Sequence, residues 1–133
     1  MLPEAILCID RREFVHLSCL LKTFRERRDF IAQREAEQAQ VDGPSFLAQL
    51  DFLLAHDTQA HLKAIRARTL VICGELDMLT SAIQNRELAA AIAGATFEVI
   101  PGASHGMVWD RGDEYTDRVL SFLRQPVAAG VLA

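Results

Sequence analysis

The spacing of apolar positions changes near residue 62. Before it the pattern has a helical period; after it, short continuous apolar runs alternate with helical stretches. From Pro3 to Gly43 the chain contains no intervening glycine or proline, and Phe14, Leu17, Leu21, Phe24 and Ile31 recur at spacings that a single helix face can hold. Arg11, Arg12, Glu26, Arg27 and Asp29 fall on the opposite face. The pattern predicts one long helix, or two joined at a kink. From Ala32 to Gln40 the stripe fades and good helix formers remain, as at a solvated helix end. Asp42-Gly43-Pro44-Ser45 breaks the run and opens a second helix, with Phe46, Leu47, Leu50, Leu53 and Leu54 as its apolar face. A further helical turn is expected around His61 to Ile65.

Beyond it, Thr69-Leu70-Val71-Ile72-Cys73 reads as a strand buried on both faces, bounded by Arg68 and Gly74. Ser81-Ala82-Ile83-Gln84 has capping-box form and starts a helix whose expected inward residues are Ile83, Leu88, Ala91 and Ile92. Gly94 is placed to end that helix, and Thr96-Phe97-Glu98-Val99-Ile100 forms the next strand, closed by Pro101-Gly102. A last helix is expected from about Asp113 to Pro126, with Tyr115, Val119, Phe122 and Leu123 along it. No helix is expected between His105 and Gly112. The pattern divides the chain into a helical segment 1–62, an α/β segment 63–126 and a tail 127–133. Strand, helix, strand, helix implies a parallel crossover. Two strands make a thin sheet, so an exposed apolar edge is expected to be completed by a second copy or by another chain.

Composition narrows the picture without redirecting it. The 133 residues suffice for one domain with an appendage, half of them are hydrophobic, and the net charge is −4. An acidic chain without a basic cluster gives no nucleic-acid or anionic-membrane surface. Cys8, Cys19 and Cys73 lack disulfide-framework spacing and read as reduced thiols of a cytoplasmic protein. The N-terminus carries Glu4 and no basic leader, so no secretory signal is expected, and no apolar run approaches the roughly 20 residues that cross a bilayer.

The chemistry gathers in two loops at the carboxyl ends of the strands, where open α/β sheets bind ligands: Gly74-Glu75-Leu76-Asp77-Met78-Leu79-Thr80 and Gly102-Ala103-Ser104-His105-Gly106. Carboxylate and imidazole at neighbouring strand ends are the acid and base of a nucleophilic triad. His56, Asp57 and His61 do not make a metal site, because a spacing of five does not put two imidazoles on one helix face. His16 reads as helix surface. No metal or cofactor is expected.

The stretch Ile65 to Leu123, with Gly74-Glu75-Leu76-Asp77 after one strand and Gly102-Ala103-Ser104-His105-Gly106 after the next, resembles the carboxyl-terminal part of the α/β-hydrolase family. Arg68 stands where that family usually has proline. The resemblance implies that Asp77 is the triad acid and His105 the catalytic histidine. It also implies that Phe24 to His61 is similar to the family's helical cap, and that the nucleophile and oxyanion loop belong to an amino-terminal half preceding it. On that reading the chain is a partial α/β hydrolase, two parallel strands with crossover helices behind a cap segment, and is inactive alone. The implied reaction is hydrolysis of an ester, amide, lactone or carbon–carbon bond in a small apolar substrate. The literal G-x-S-x-G match at 102–106 does not make Ser104 the nucleophile, since an acid and a histidine should follow it and His105 is its immediate neighbour. Met107 and Trp109 are candidates to line a substrate pocket. The alternative is a non-catalytic homodimer, or a module that binds a complementary chain, completing its sheet through the open edge.

Overall fold

The computed structural model describes residues 21–126, which fall into two compact units divided between His56 and Asp57. The stripe positions Phe14 and Leu17, together with His16, Cys8, Cys19 and the tail, lie outside the described residues.

The first unit holds three helices, α1 (Leu21–Glu26), α2 (Arg28–Ala39) and α3 (Gly43–Ala55). The kink falls at Arg27, yet the Arg27 N–H still donates to the Thr23 carbonyl and the Ile31 N–H to the Arg27 carbonyl, each at 3.0 Å. Hydrogen bonding therefore carries through the bend. Ile31 and Thr23 are buried, and the Arg27 guanidinium lies over the Phe30 ring. At the start of α3, the Asp42 carboxylate accepts from the Ser45 N–H at 2.9 Å and its hydroxyl at 2.8 Å. This N-cap satisfies an amide that no helical carbonyl can reach, and Pro44 in the first turn forfeits nothing. The expected apolar face of α3 is not a buried one. Leu47, Leu53 and Leu54 are exposed, and no residue of the helix is buried.

In the second unit a 3-10 helix (Gln59–Ala64) leads to β1 (Leu70–Gly74), α4 (Ala82–Ala91), β2 (Thr96–Ile100), α5 (Met107–Asp110) and α6 (Gly112–Arg124). The two strands pair in parallel from Leu70 opposite Thr96 to Gly74 opposite Ile100, as the alternation of strand and helix predicts. Val71, Cys73, Ala89, Ile92, Ile100, Ala103 and Phe122 form the core. Among the described residues each strand has one edge without a strand partner.

Ser81 caps α4 with both halves of the capping box, its hydroxyl accepting from the Gln84 N–H while the Gln84 carboxamide oxygen accepts from the Ser81 N–H. The expected inner face of the helix holds at Ile92 and, half-buried, at Ala91, but not at its other two positions. Ile83 is 72% exposed and Leu88 is exposed too, whereas Ala89 and Ile92 are buried. Ala82, Asn85, Ala89 and Ile92 share the inner stripe, because small residues let the helix lie close on the thin sheet. Leu123 likewise faces solvent, and Phe122 is the buried residue of α6. Arg68 has a specific use: its guanidinium lies 4.4 Å over the Phe122 ring and donates to the Gln125 carbonyl at 2.6 Å and the Leu123 carbonyl at 3.2 Å. A cation thereby closes the C-terminal end of α6, where carbonyls lack helical donors, and ties it to the start of β1.

Candidate active site

Both loops leave the same end of the sheet. The ladder continues one step past the strands, with the Glu75 N–H donating to the Ile100 carbonyl at 3.0 Å and the Leu76 N–H to the Ala103 carbonyl at 2.8 Å. The Glu75 carboxylate then accepts from the Gly102 N–H at 2.8 Å. Gly102 takes φ +64°, a conformation that side chains disfavour, and so turns the chain sharply after β2. These bonds fix one loop against the other before any catalytic group is considered.

Asp77 and His105 meet. The His105 Nδ1 lies 3.0 Å from Asp77 Oδ2, and the Asp77 side chain is only 3% exposed whereas that of His105 is 39% exposed. A carboxylate can only accept, so Nδ1 carries the proton and Nε2 remains the basic nitrogen. Asp77 Oδ1 accepts from the N–H groups of Leu79 and Thr80, each at 2.8 Å, and Oδ2 also accepts from the Thr80 hydroxyl at 2.9 Å. Burial alone pushes the Asp77 carboxyl up, but the bonds from Thr80, His105 and Leu79 outweigh it and hold the group below its usual value. Burial, with the Asp77 charge behind it, pushes the Cys73 thiol up, which suits a packed residue rather than a nucleophile.

A depressed carboxyl contributes stability above the unfolded-state value of about 3.9 and loses it as pH falls through the folded one. Urea unfolding of Asp77→Asn is therefore expected to show a stability deficit of about 1–3 kcal/mol near neutrality. That deficit should shrink toward zero in acid. Parallel pH profiles for the two proteins would contradict the assignment.

Ser104 is buried, and its hydroxyl donates to Asp110 Oδ2. Its N–H donates to the same oxygen at 3.0 Å, and its Oγ accepts from the Gly106 N–H at 3.2 Å. The serine thus braces the His105 loop against α5. That single-turn helix, unexpected from the sequence, stands where the chain continues after the G-x-S-x-G match. Its first-turn position for Asp110 is what captures Ser104. Met107 and Trp109, the candidate pocket residues, are both half-buried on it. Among the described residues no group of three metal-ligating side chains gathers, and no helix is long and apolar enough to cross a membrane.

Sequence reasoning singled out Asp77 and His105, which the structure brings together, quoted Glu75 only as part of a motif, and gave no part to Thr80 or Asp110. Glu75 and Thr80 flank the acid in its own loop, and Asp110 lies five residues after the histidine. Their polarity carried no signal by itself, since loops are polar anyway.

A sequence profile described as the alpha/beta hydrolase family matches residues 5–118. Among solved structures, the chain is similar to an enol-lactonase from Burkholderia xenovorans LB400, with 26% identity and a TM-score of 0.79 over 86% of this chain and 44% of that one. It is also similar to Est816, described as an N-acyl homoserine lactone degrading enzyme, with 28% identity and a TM-score of 0.68 over 92% of this chain and 52% of that one. A curated relative, polyketide synthase ThaQ of Burkholderia thailandensis, is 28% identical over 103 residues, which is 77% of this chain and 5% of that protein. The chain spans about half the length, or less, of each of these three proteins. Its profile match and the paired strand-end loops together place it in the alpha/beta hydrolase family.

Proposed function

We propose that this chain supplies the acid–base half of a hydrolase that opens esters or lactones of small apolar molecules, and that the nucleophile comes from outside residues 1–133. The observation that carries this reading is the 3.0 Å bond between Asp77 Oδ2 and His105 Nδ1 at the ends of adjacent parallel strands. In the reaction, Nε2 of His105 takes the proton of a serine hydroxyl or a water as its oxygen attacks the carbonyl carbon. The tetrahedral oxyanion then collapses, and the leaving oxygen receives the same proton from Nε2. Asp77 holds Nδ1–H throughout and stabilises the transient imidazolium. On this reading Met107 and Trp109 belong to the substrate pocket, and residues 1–62 correspond to the family's cap segment. The lactone-acting names of the similar structures favour ring-opening over amide hydrolysis.

The test is turnover of p-nitrophenyl acetate and of a simple γ-lactone. The chain alone is expected to stay at the buffer rate. Adding a polypeptide that bears a strand–turn–helix nucleophile is expected to raise it. Turnover by the chain alone would place the nucleophile within it and overturn this part of the reading.

Among the described residues the outer edge of β1 has no strand partner, which supports a second reading, a non-catalytic homodimer or partner-binding module whose sheet continues through that edge. Scattering separates the two: a monomer of this length has a radius of gyration of about 14 Å, and a compact dimer about 18 Å. A compact monomer removes the homodimer.

A further inference from the structure

Four donors converge on the Asp77 carboxylate, and they are not equivalent. The N–H groups of Leu79 and Thr80 both go to Oδ1. They close the turn that follows the aspartate, and any residue at positions 79 and 80 except proline would supply them. The Thr80 hydroxyl is different. It donates to Oδ2 at 2.9 Å, the same oxygen that receives His105 Nδ1 at 3.0 Å, and its own oxygen lies 3.5 Å from that nitrogen. One oxygen thus holds the hydroxyl and the imidazole together, while the other is engaged by the backbone.

From this convergence we infer that Thr80 is a positioning residue: its hydroxyl adds to the two amides a restraint on Oδ2 itself, so that this oxygen stays aimed at His105 Nδ1. This rests on the acid–base reading of the Asp77–His105 pair. The two amides on Oδ1 and the hydroxyl on Oδ2 restrain one torsion, the rotation about the Cβ–Cγ bond, from its two ends. The hydroxyl is the side-chain part of that restraint, and it acts on the oxygen that faces the imidazole. The hydroxyl oxygen also lies 3.5 Å from Nδ1, beside the 3.0 Å bond to Oδ2, so an Nδ1–H points at an oxygen-lined pocket while an unprotonated Nδ1 would face the carboxylate lone pairs. Neutral His105 is thereby kept with its basic nitrogen at Nε2, the tautomer that proton abstraction needs.

A structural part played by Thr80 alone would not require the hydroxyl. The backbone carbonyl of Thr80 accepts from the Asn85 carboxamide at 2.8 Å, and its N–H serves Asp77; both survive replacement of the side chain. The residue is exposed, so a valine of the same shape fits without repacking. Thr80→Val therefore deletes only the hydroxyl, and Thr80→Ser restores it.

The experiment is 15N and 13C NMR of the full chain carrying labelled histidine and aspartate, with thermal unfolding as the check on folding. In Thr80→Val the ratio of Nδ1–H to Nε2–H tautomer at His105 is expected to fall about three-fold, the effect of losing one modest hydrogen bond. The Asp77 carboxyl titration is expected to move to higher pH, because one of the bonds that hold it down is gone. Thr80→Ser should return both signals toward the wild type. Asp77→Asn serves as the reference and should abolish the tautomer preference. If Asp77→Asn changes the tautomer and Thr80→Val does not, the role given to Thr80 is wrong while the acid–base pair stands. If neither changes it, the pair itself fails and Thr80 has nothing to position. A Thr80→Val variant that melts several degrees lower, with the tautomer ratio intact, likewise overturns the inference and leaves Thr80 a stabilising residue only.

Discussion

Gly74→Ala is expected to destabilise the α/β unit by about 3 kcal/mol or more and to separate Asp77 from His105. Gly74 ends β1, and its need for glycine does not come from its backbone angles, since only Gly94 and Gly102 take positive φ among the described residues. The need is one of space. A Cβ there would stand 2.3 Å from the carbonyl oxygen of Ser104 and 2.4 Å from that of Ala103. Both are backbone atoms and cannot swing aside as a side chain can. To restore ordinary contact the His105 loop must retreat by about 1 Å, in a close-packed region where such displacement is costly. The retreat would stretch the Leu76–Ala103 ladder bond and the Glu75–Gly102 bond, which together align the loops. Thermal unfolding should show a midpoint lower by roughly 10–20 °C. Gly112→Ala is the control. Nothing lies within 4 Å of where its Cβ would go, and it opens α6, so alanine there is expected to be neutral or slightly stabilising. Equal midpoints for the two variants would contradict the close approach of the loops.

His105→Ala is expected to lower the nucleophile-complemented esterase rate about a thousand-fold or more, and Asp77→Asn by a comparable factor. The two losses should not multiply. Asp77 acts only through His105, so in the double variant the second substitution should cost almost nothing. Measurement of kcat/KM for the four proteins closes the cycle. The imidazole is half exposed and leaves no core cavity, so His105→Ala is expected to cost only its bond to Asp77, about 1 kcal/mol, and to remain folded, which separates lost chemistry from lost folding. Asp77→Asn keeps the shape of the carboxylate but offers the histidine an amide, and part of its loss will be that of a wrongly placed proton. Retained activity in His105→Ala would remove the proposed chemistry, whatever the fold.

The two strands, the capping box at Ser81 and the turn at Gly102 were legible in the residues, because each depends on neighbours a few positions away, and the parallel pairing followed from the strand–helix–strand order. The family was legible too, from two short motifs at strand ends. The face of α4 was legible only at its C-terminal end, at Ala91 and Ile92. Hydrophobicity favoured Ile83 and Leu88, and both are exposed, since a two-stranded sheet offers room for the alanine stripe and leaves larger residues uncovered. The same holds for α3, whose apolar face finds no cover within its own unit.

Arg68 shows the limit most plainly. In the sequence it is a departure from the usual proline. In the fold it closes a helix end more than fifty positions away and stacks on Phe122. The same reasoning covers Ser104, which the local pattern offers as a nucleophile elbow and which the fold binds to Asp110. What the sequence by itself determined was which side chains could do acid–base work and on which loops they stand, because residue type and local period are properties of short stretches. Only the tertiary structure decided that Asp77 and His105 share a hydrogen bond, that Thr80 joins them on one oxygen, and that Gly74 must have no side chain. Those facts arise where two segments some 25 to 30 residues apart are pressed together, and no pattern along either segment records the contact.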